Sequence, residues 1–174
     1  MSHTTTVKVE FKDSESLAGA VLAMGGQVLG LGEYELFQTW ERGFGFHLEG
    51  WQYPCVLRSD MAIAFDDYNG HWGNAQDLET LKSQYAIAVA RKACENQGWV
   101  CEQQQDGNLL VYHPEGGTIT VAVIDGKVDV DLCNFLGSSC VEAGNVIESA
   151  LGKAVSTVNK PEMYIEQIQI AQSE

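Results

Sequence analysis

The chain has 174 residues, 45% of them hydrophobic, and its 24 acidic against 10 basic residues give a formal net charge of -14. That hydrophobic share excludes wholesale disorder, and the length suits one good core or one domain with a small appendage. The charge excludes sequence-independent binding of nucleic acid, which needs clustered Lys and Arg to displace phosphate counterions, whereas here the basic residues are scattered from Lys8 to Lys160.

The first element is "TVKVEF", in which Val7, Val9 and Phe11 alternate with Lys8, Glu10 and Lys12 as in a half-buried strand. Asp13 or Ser14 then caps a helix running to about Met24, with Leu17, Ala20, Val21 and Met24 as its apolar stripe and Gly25-Gly26 as its stop. "GGQVLGLG" follows a helix, whereas a phosphate-binding loop precedes one, so it reads as helix stop and turn. Short strands are predicted near Tyr34 to Thr39, Gly45 to Leu48, Pro54 to Leu57 and Met61 to Phe65, with "AFDDYNGHWGN" as a turn-rich loop. A long helix starts at Asn74 and stops at Gly98, with Leu78, Leu81, Tyr85, Val89 and Ala93 on one face.

Residues 99 to 133 read as a four-strand meander, "WVCEQQQ", "NLLVYH", "TITVAVI" and "KVDVDLC", joined at Asp106-Gly107, at Pro114 to Gly117 and at Asp125-Gly126. A two-residue turn at 125-126 sets the last register. It pairs Val123 with Val128, Val121 with Val130 and Ile119 with Leu132 on one face, and Ala122 with Asp129 and Thr120 with Asp131 on the other. Asp129 and Asp131 then face solvent, or a partner that wants two carboxylates. Ser139 and Glu142 fit a capping box and Gly152 a helix stop, with Cys140, Ala143, Gly144, Ile147 and Leu151 on one face. The tail "KPEMYIEQIQIAQ" starts extended at Lys160-Pro161 and either docks along a sheet edge or forms a final turn; folded back, it would close over Cys140.

Chemistry is harder to find than architecture. No nucleophile elbow, phosphate loop, metalloprotease helix or dinucleotide fingerprint occurs. The five cysteines, Cys55, Cys94, Cys101, Cys133 and Cys140, are odd in number and show no CxxC spacing, which favours reduced, mostly buried thiols. Cys140 sits near a helix start, which lowers a thiol pKa, but the pattern places it on the same stripe as Ile147 and Leu151, and the structural role outweighs the nucleophilic one. The histidines are solitary; His71, near Asp66 and Asp67, is the least poor metal ligand, and no metal or cofactor is expected. Trp40, Trp51 and Trp72 fall in an irregular glycine-rich region, where aromatic side chains serve either as interface anchors or as core plugs. No apolar run approaches the ~20 residues that cross a bilayer, and "MSHTTTVKVEFKD" is not a secretory signal, so a cytoplasmic location is expected.

Two resemblances add to this. The "MSH" opening, Asp13 and Leu17 at the first helix, Leu81, Gln84-Tyr85-Ala86 and Gly98 resemble the plastid and cyanobacterial reading-frame family called ycf thirty-five-like, a domain of unknown function that also occurs in bacteria and phages. Gly137, Cys140, Leu151-Gly152, Pro161-Glu162 and Tyr164, within about residues 117 to 166, resemble a second small domain of unknown function. The resemblance implies a neighbourhood with AAA-type ATPase genes, and a plastid stroma or host cytoplasm as alternative locations. It carries over no catalytic residue.

The sequence thus predicts an α+β protein: an antiparallel sheet or meander with about three helices packed mainly on one side. Residues 1–113 form the ycf thirty-five-like region, and residues 114–174 a small ββα region packed on it as one compact unit. The expected function is that of a non-enzymatic accessory or adaptor protein with a protein partner, an AAA-type ATPase being the class implied; no membrane or direct nucleic-acid contact is expected. The alternatives are a phage- or defence-related inhibitor that mimics nucleic acid with its acidic surface, and a thiol- or metal-dependent enzyme. The interaction candidates are Trp40, Trp51, Trp72, Asp129, Asp131, Cys140, Glu162 and Tyr164.

Overall fold

The computed structural model describes residues 3–124, 127–135 and 139–159, and for residues 3–8, 153 and 155–159 it describes the backbone alone. The chain divides into two compact units: Met1–Glu10 with Ala86–Glu174, and Phe11–Tyr85. The class is α+β and every strand pairing is antiparallel, but the strands fall into two sheets rather than one.

The first unit holds a six-stranded sheet. Its strands are β1 (His3–Val9), β6 (Val100–Gln103), β7 (Leu109–Tyr112), β8 (Thr118–Ile124), β9 (Lys127–Cys133) and β10 (Gly152–Asn159), in the order β10-β1-β9-β8-β7-β6. The four-strand meander is present, with Val123, Val121 and Ile119 opposite Val128, Val130 and Leu132 as the hairpin register requires. The position between residues 113 and 114 falls between β7 and β8, which are neighbours in this sheet.

The alternation of valine and aspartate along β9 buries Val128, Val130 and Leu132 completely. Helix α3 (Ser139–Leu151) packs on β1, β9 and β10 and buries Cys140, Ala143, Gly144, Ile147 and Leu151. It begins at Ser139 itself, one residue sooner than a capping box with Ser139 as the cap would have it. After Gly152 the chain does not loop but enters β10, which pairs with β1 from Val9↔Gly152 to His3↔Asn159 and shifts register between Thr6 and Val7. Sequence patterning does not call this strand, because a helix-stop glycine introduces it and an irregularity interrupts its ladder. The expected fold-back of the tail beyond Asn159 lies outside the described residues.

The second unit holds a four-stranded sheet, β2 (Gln27–Glu35), β3 (Trp40–His47), β4 (Cys55–Leu57) and β5 (Ile63–Ala64), in that order. Helix α1 (Ser14–Ala23) packs on β2 and β3. Asp13 is its cap: its Oδ1 accepts the Glu15 and Ser16 backbone N–H groups, and its Oδ2 accepts the Ser16 hydroxyl. The backbone N–H of Asp13 donates to the hydroxyl of the buried Tyr85, whose ring lies 4.8 Å from that of Phe11. Gly25 ends α1 in the left-handed region at φ +80. Helix α2 (Ala75–Asn96) starts at Asn74, whose Oδ1 accepts the Gln76 N–H, and closes at Gly98. Its residues to Tyr85 belong to this unit and the remainder to the other.

Two expectations are corrected here. "GGQVLGLG" is not a stop and turn: only Gly25-Gly26 stop the helix, and Gln27 onwards is β2. The strand predicted from Tyr34 to Thr39 ends at Glu35; residues 36 to 39 form a turn closed by the Leu36 N–H on the Thr39 carbonyl, and β3 begins at Trp40. The cause is a glycine-lined seat for one ring. Tyr34 donates its hydroxyl to the Gly30 carbonyl at 2.6 Å. A Cβ at Gly45 would stand 2.4 Å from the Tyr34 ring, and one at Gly43 would stand 2.1 Å from the Leu57 carbonyl oxygen. The glycines are spaces for neighbours, and a one-dimensional pattern reads them as breaks.

Candidate interaction surface

Three loops of the second unit bring four rings together. Phe37 comes from the β2–β3 turn, Tyr53 from the segment before β4, and Tyr68 and Trp72 from the loop between β5 and α2. Trp72 is the hub. Tyr68 stacks on it at 4.6 Å and 24°, Phe37 tilts against it at 4.8 Å, and Tyr53 meets it edge-on at 5.2 Å. These separations fall in the attractive range for aromatic pairs. The cluster is nevertheless open, for Tyr68 is 56% and Phe37 48% exposed.

The backbone beneath Tyr68 is unusual. Tyr68, Asn69 and Gly70 have φ values of +44, +54 and +93 in succession. Asparagine and glycine adopt that region readily, but an aromatic residue does not, and such a conformation costs on the order of 1–3 kcal/mol. Local hydrogen bonds hold it. The Asp67 carbonyl accepts the N–H groups of Gly70 and Trp72, the Tyr68 carbonyl accepts that of His71, and Asp66 Oδ1 accepts that of Tyr68. The Trp72 carbonyl in turn accepts the Gln52 N–H, which ties this loop to the one bearing Tyr53.

The three tryptophans singled out in the sequence part company. Trp51 is a core plug, 4% exposed, with its indole N–H donating to Asp77 at 3.0 Å and its ring so close to Gly73 that a Cβ there would stand 2.3 Å away. Trp72 is half-buried at the centre of the ring cluster. Trp40 is 67% exposed at the start of β3, opposite Glu35 across the same turn that carries Phe37. The contributions of Phe37, Tyr53 and Tyr68 are absent from the sequence reading. The one signal for them is that aromatic residues punctuate all three loops of an otherwise glycine-rich stretch.

The other candidates lie elsewhere. Asp129 and Asp131 are half-buried in the middle of the six-stranded sheet, on the face opposite to Val128, Val130 and Leu132 and level with Thr6 and Thr4 of β1. Cys140 is buried in the α3 stripe, and burial pushes its thiol pKa up. Burial alone lifts the Cys55 thiol to about 12; burial, with Cys101 beside it, does the same for Cys94. High thiol pKa values are the opposite of what a thiolate nucleophile requires. Glu162 and Tyr164 lie outside the described residues.

His71 packs its ring on Tyr68 at 5.2 Å, and among the described residues no three His, Cys, Asp or Glu side chains are grouped so as to hold a metal ion. A pocket lined by Met24, Leu48, Glu49 and Asp77 encloses about 260 Å³, below the ~300–1,000 Å³ of ordinary small-molecule sites. Among the described residues no helix is long and apolar enough to cross a membrane.

Comparison with known proteins places one segment. Residues 120–164 match a family described as "Protein of unknown function (DUF2997)", so a domain of unknown function occupies this stretch, which takes in most of β8, then β9, α3 and β10. No curated protein and no solved structure matches the chain.

Proposed function

We propose that the chain is a non-enzymatic accessory or adaptor protein whose work is to hold another protein, acting in the cytoplasm with an AAA-type ATPase. The observation that carries this reading is the exposed ring cluster of Phe37, Tyr53, Tyr68 and Trp72, presented on a strained loop. Large, rigid rings that remain half in water are the side chains that anchor protein interfaces at low entropic cost. The partner class comes from the resemblance of residues 1–113 to the ycf thirty-five-like family and of the C-terminal segment to its small neighbour domain. The thiols, held protonated by burial, weigh against the thiol-enzyme alternative.

The test mixes the purified chain with an AAA-type ATPase of the class that the resemblance implies and follows both co-elution and ATP turnover. A complex that shifts turnover supports the reading. Failure of both rejects it.

A further inference from the structure

We propose that the ring cluster of Phe37, Tyr53, Tyr68 and Trp72 is a docking site for an extended, arginine- or lysine-bearing segment of a partner protein. The inference rests on the adaptor reading and deepens it by naming the surface and the chemistry that it receives.

Charge and ring geometry converge on this occupant. The segments that display the rings, 35–41, 50–57 and 59–74, contain Glu35, Glu41, Asp60, Asp66 and Asp67 and no lysine or arginine. Arg42 and Arg58 adjoin them, and Arg58 forms an ion pair with Asp60; five carboxylates against two arginines still leave this region a surplus of three negative charges. Phe37 thus follows closely on Glu35, and Tyr68 directly on Asp66 and Asp67. A ring face attracts a cation, and a neighbouring carboxylate adds to that attraction. Tyr68 stacks on Trp72 and meets His71 at 5.2 Å, yet remains more than half exposed, so part of its ring is open to a guanidinium. Arginine suits it better than lysine, because its planar group stacks on a ring while its N–H groups reach a carboxylate. A nucleic-acid strand would also stack on rings, but these carboxylates would repel its phosphates. The succession of positive φ values at 68 to 70 holds the Tyr68 ring against Trp72 with more than half of its surface open.

The experiment titrates the full chain with a short Gly-Ser peptide bearing spaced arginines, and with the same peptide bearing citrulline, which keeps the shape and removes the charge. Amide chemical shifts locate the binding, and a salt series follows its strength. The expected result is binding of the arginine peptide alone, shifts centred on residues 37, 53 and 66–72, and affinity that falls as salt rises. Tyr68→Ala, with folding checked by its melting curve, weakens binding about two- to five-fold, the worth of one exposed cation–ring contact. Asp67→Asn weakens it too, whereas Glu115→Gln, in the β7–β8 turn of the other unit, leaves it unchanged.

Equal binding of the citrulline peptide, equal loss in Asp67→Asn and Glu115→Gln, an unaffected Tyr68→Ala, or no binding at all overturns the proposal. The two readings fail separately. If the arginine peptide does not bind but the ATPase complex forms and Tyr68→Ala weakens it, the basic segment is wrong and the adaptor stands. If the peptide binds at the cluster and the ATPase does not, only the partner class falls.

Discussion

The two sheets of this protein solve the packing problem in opposite ways. The six-stranded sheet alternates in plain two-residue periodicity: Ile119 and Val121 on β8 and Val128, Val130 and Leu132 on β9 are all fully buried. In the four-stranded sheet, β2 and β3 alternate glycine with larger residues; the Tyr34 ring takes the space beside Gly45 and Gly32, and the Leu57 carbonyl the space beside Gly43. Surface character follows the same division. Of the large hydrophobic side chains exposed among the described residues, Leu22, Leu29, Leu31, Phe37, Trp40, Met61, Phe65 and Tyr68 belong to Phe11–Tyr85, and Val100, Tyr112, Ile124 and Val141 to the described part of the other unit. A sheet packed by alternation has spent its apolar groups on its core, whereas one built on glycine and rings keeps many of them at the surface, where recognition takes place.

The largest expected effects set the two modes of packing side by side. Ile147→Ala removes a fully buried side chain from the α3 stripe and should cost about 2–5 kcal/mol by urea denaturation. Gly43→Ala adds one methyl group where the Leu57 carbonyl leaves no room. That obstacle is backbone, which cannot swing aside, so the loss should approach about 3 kcal/mol. At Gly45→Ala the nearest obstacle is the Tyr34 ring, a side chain that can move at the expense of its hydrogen bond to the Gly30 carbonyl, and the loss should be smaller. A Gly43→Ala protein within about 1 kcal/mol of the parent would show that the glycines are not packing devices, and the contrast between the sheets would lose its basis.

Alkaline stability sharpens the comparison from within the glycine-rich unit. The Cys55 thiol, in β4, is pushed up to about 12 by burial, whereas an unfolded thiol ionises near 8.5–9. Below the unfolded value both states carry the proton and stability is unaffected. Between about 9 and 12 the unfolded chain has released it and the folded one has not, so stability falls as pH rises, by about 1.4 kcal/mol per pH unit. Cys55→Ala should remove that share of the slope, and parallel slopes for the two proteins would deny that Cys55 is sealed in the core. In native protein at pH 8, thiol labelling should begin at the half-exposed Cys101 and Cys133, with Cys55, Cys94 and Cys140 slow.

What could be read from the sequence follows the same division. The β8–β9 register was legible because the pattern is local: a two-residue turn fixes the pairing, and a slip by one would turn every valine to the wrong face. The cap at Asp13, the long helix and the α3 stripe were legible for the same reason. β2 was not, because the meaning of Gly32 and Gly45 lies in a ring at Tyr34 and a partner strand, not in their neighbours in the chain. β10 was not, because its pairing with β1 joins the two ends of the described chain. The candidate site was half legible. Trp72 and the loop around it stood out, but the selection of Trp72 over Trp51 depends on which indole meets Asp77 and Gly73 and which meets Tyr68.

A moderate effect is expected at the Asp13 cap, where Asp13→Ala should cost about 1 kcal/mol by the same denaturation measurement. The smallest effect is the most telling. Leu31 is 87% exposed and Trp40 67% exposed, on β2 and β3 of the glycine-rich sheet. If those side chains serve recognition and not the fold, Leu31→Ser and Trp40→Ser should each change stability by no more than about 0.5 kcal/mol, since neither leaves a cavity nor strands a polar group. Trp40→Ser should still alter partner binding if the anchor surface extends along the β2–β3 turn from Phe37 to Trp40. Should either substitution destabilise the chain by more than about 1 kcal/mol, that exposed side chain would be structural after all. The apolar surface of the second unit would then be a consequence of building with glycine, and the division of labour between the two sheets would reduce to a difference in packing alone.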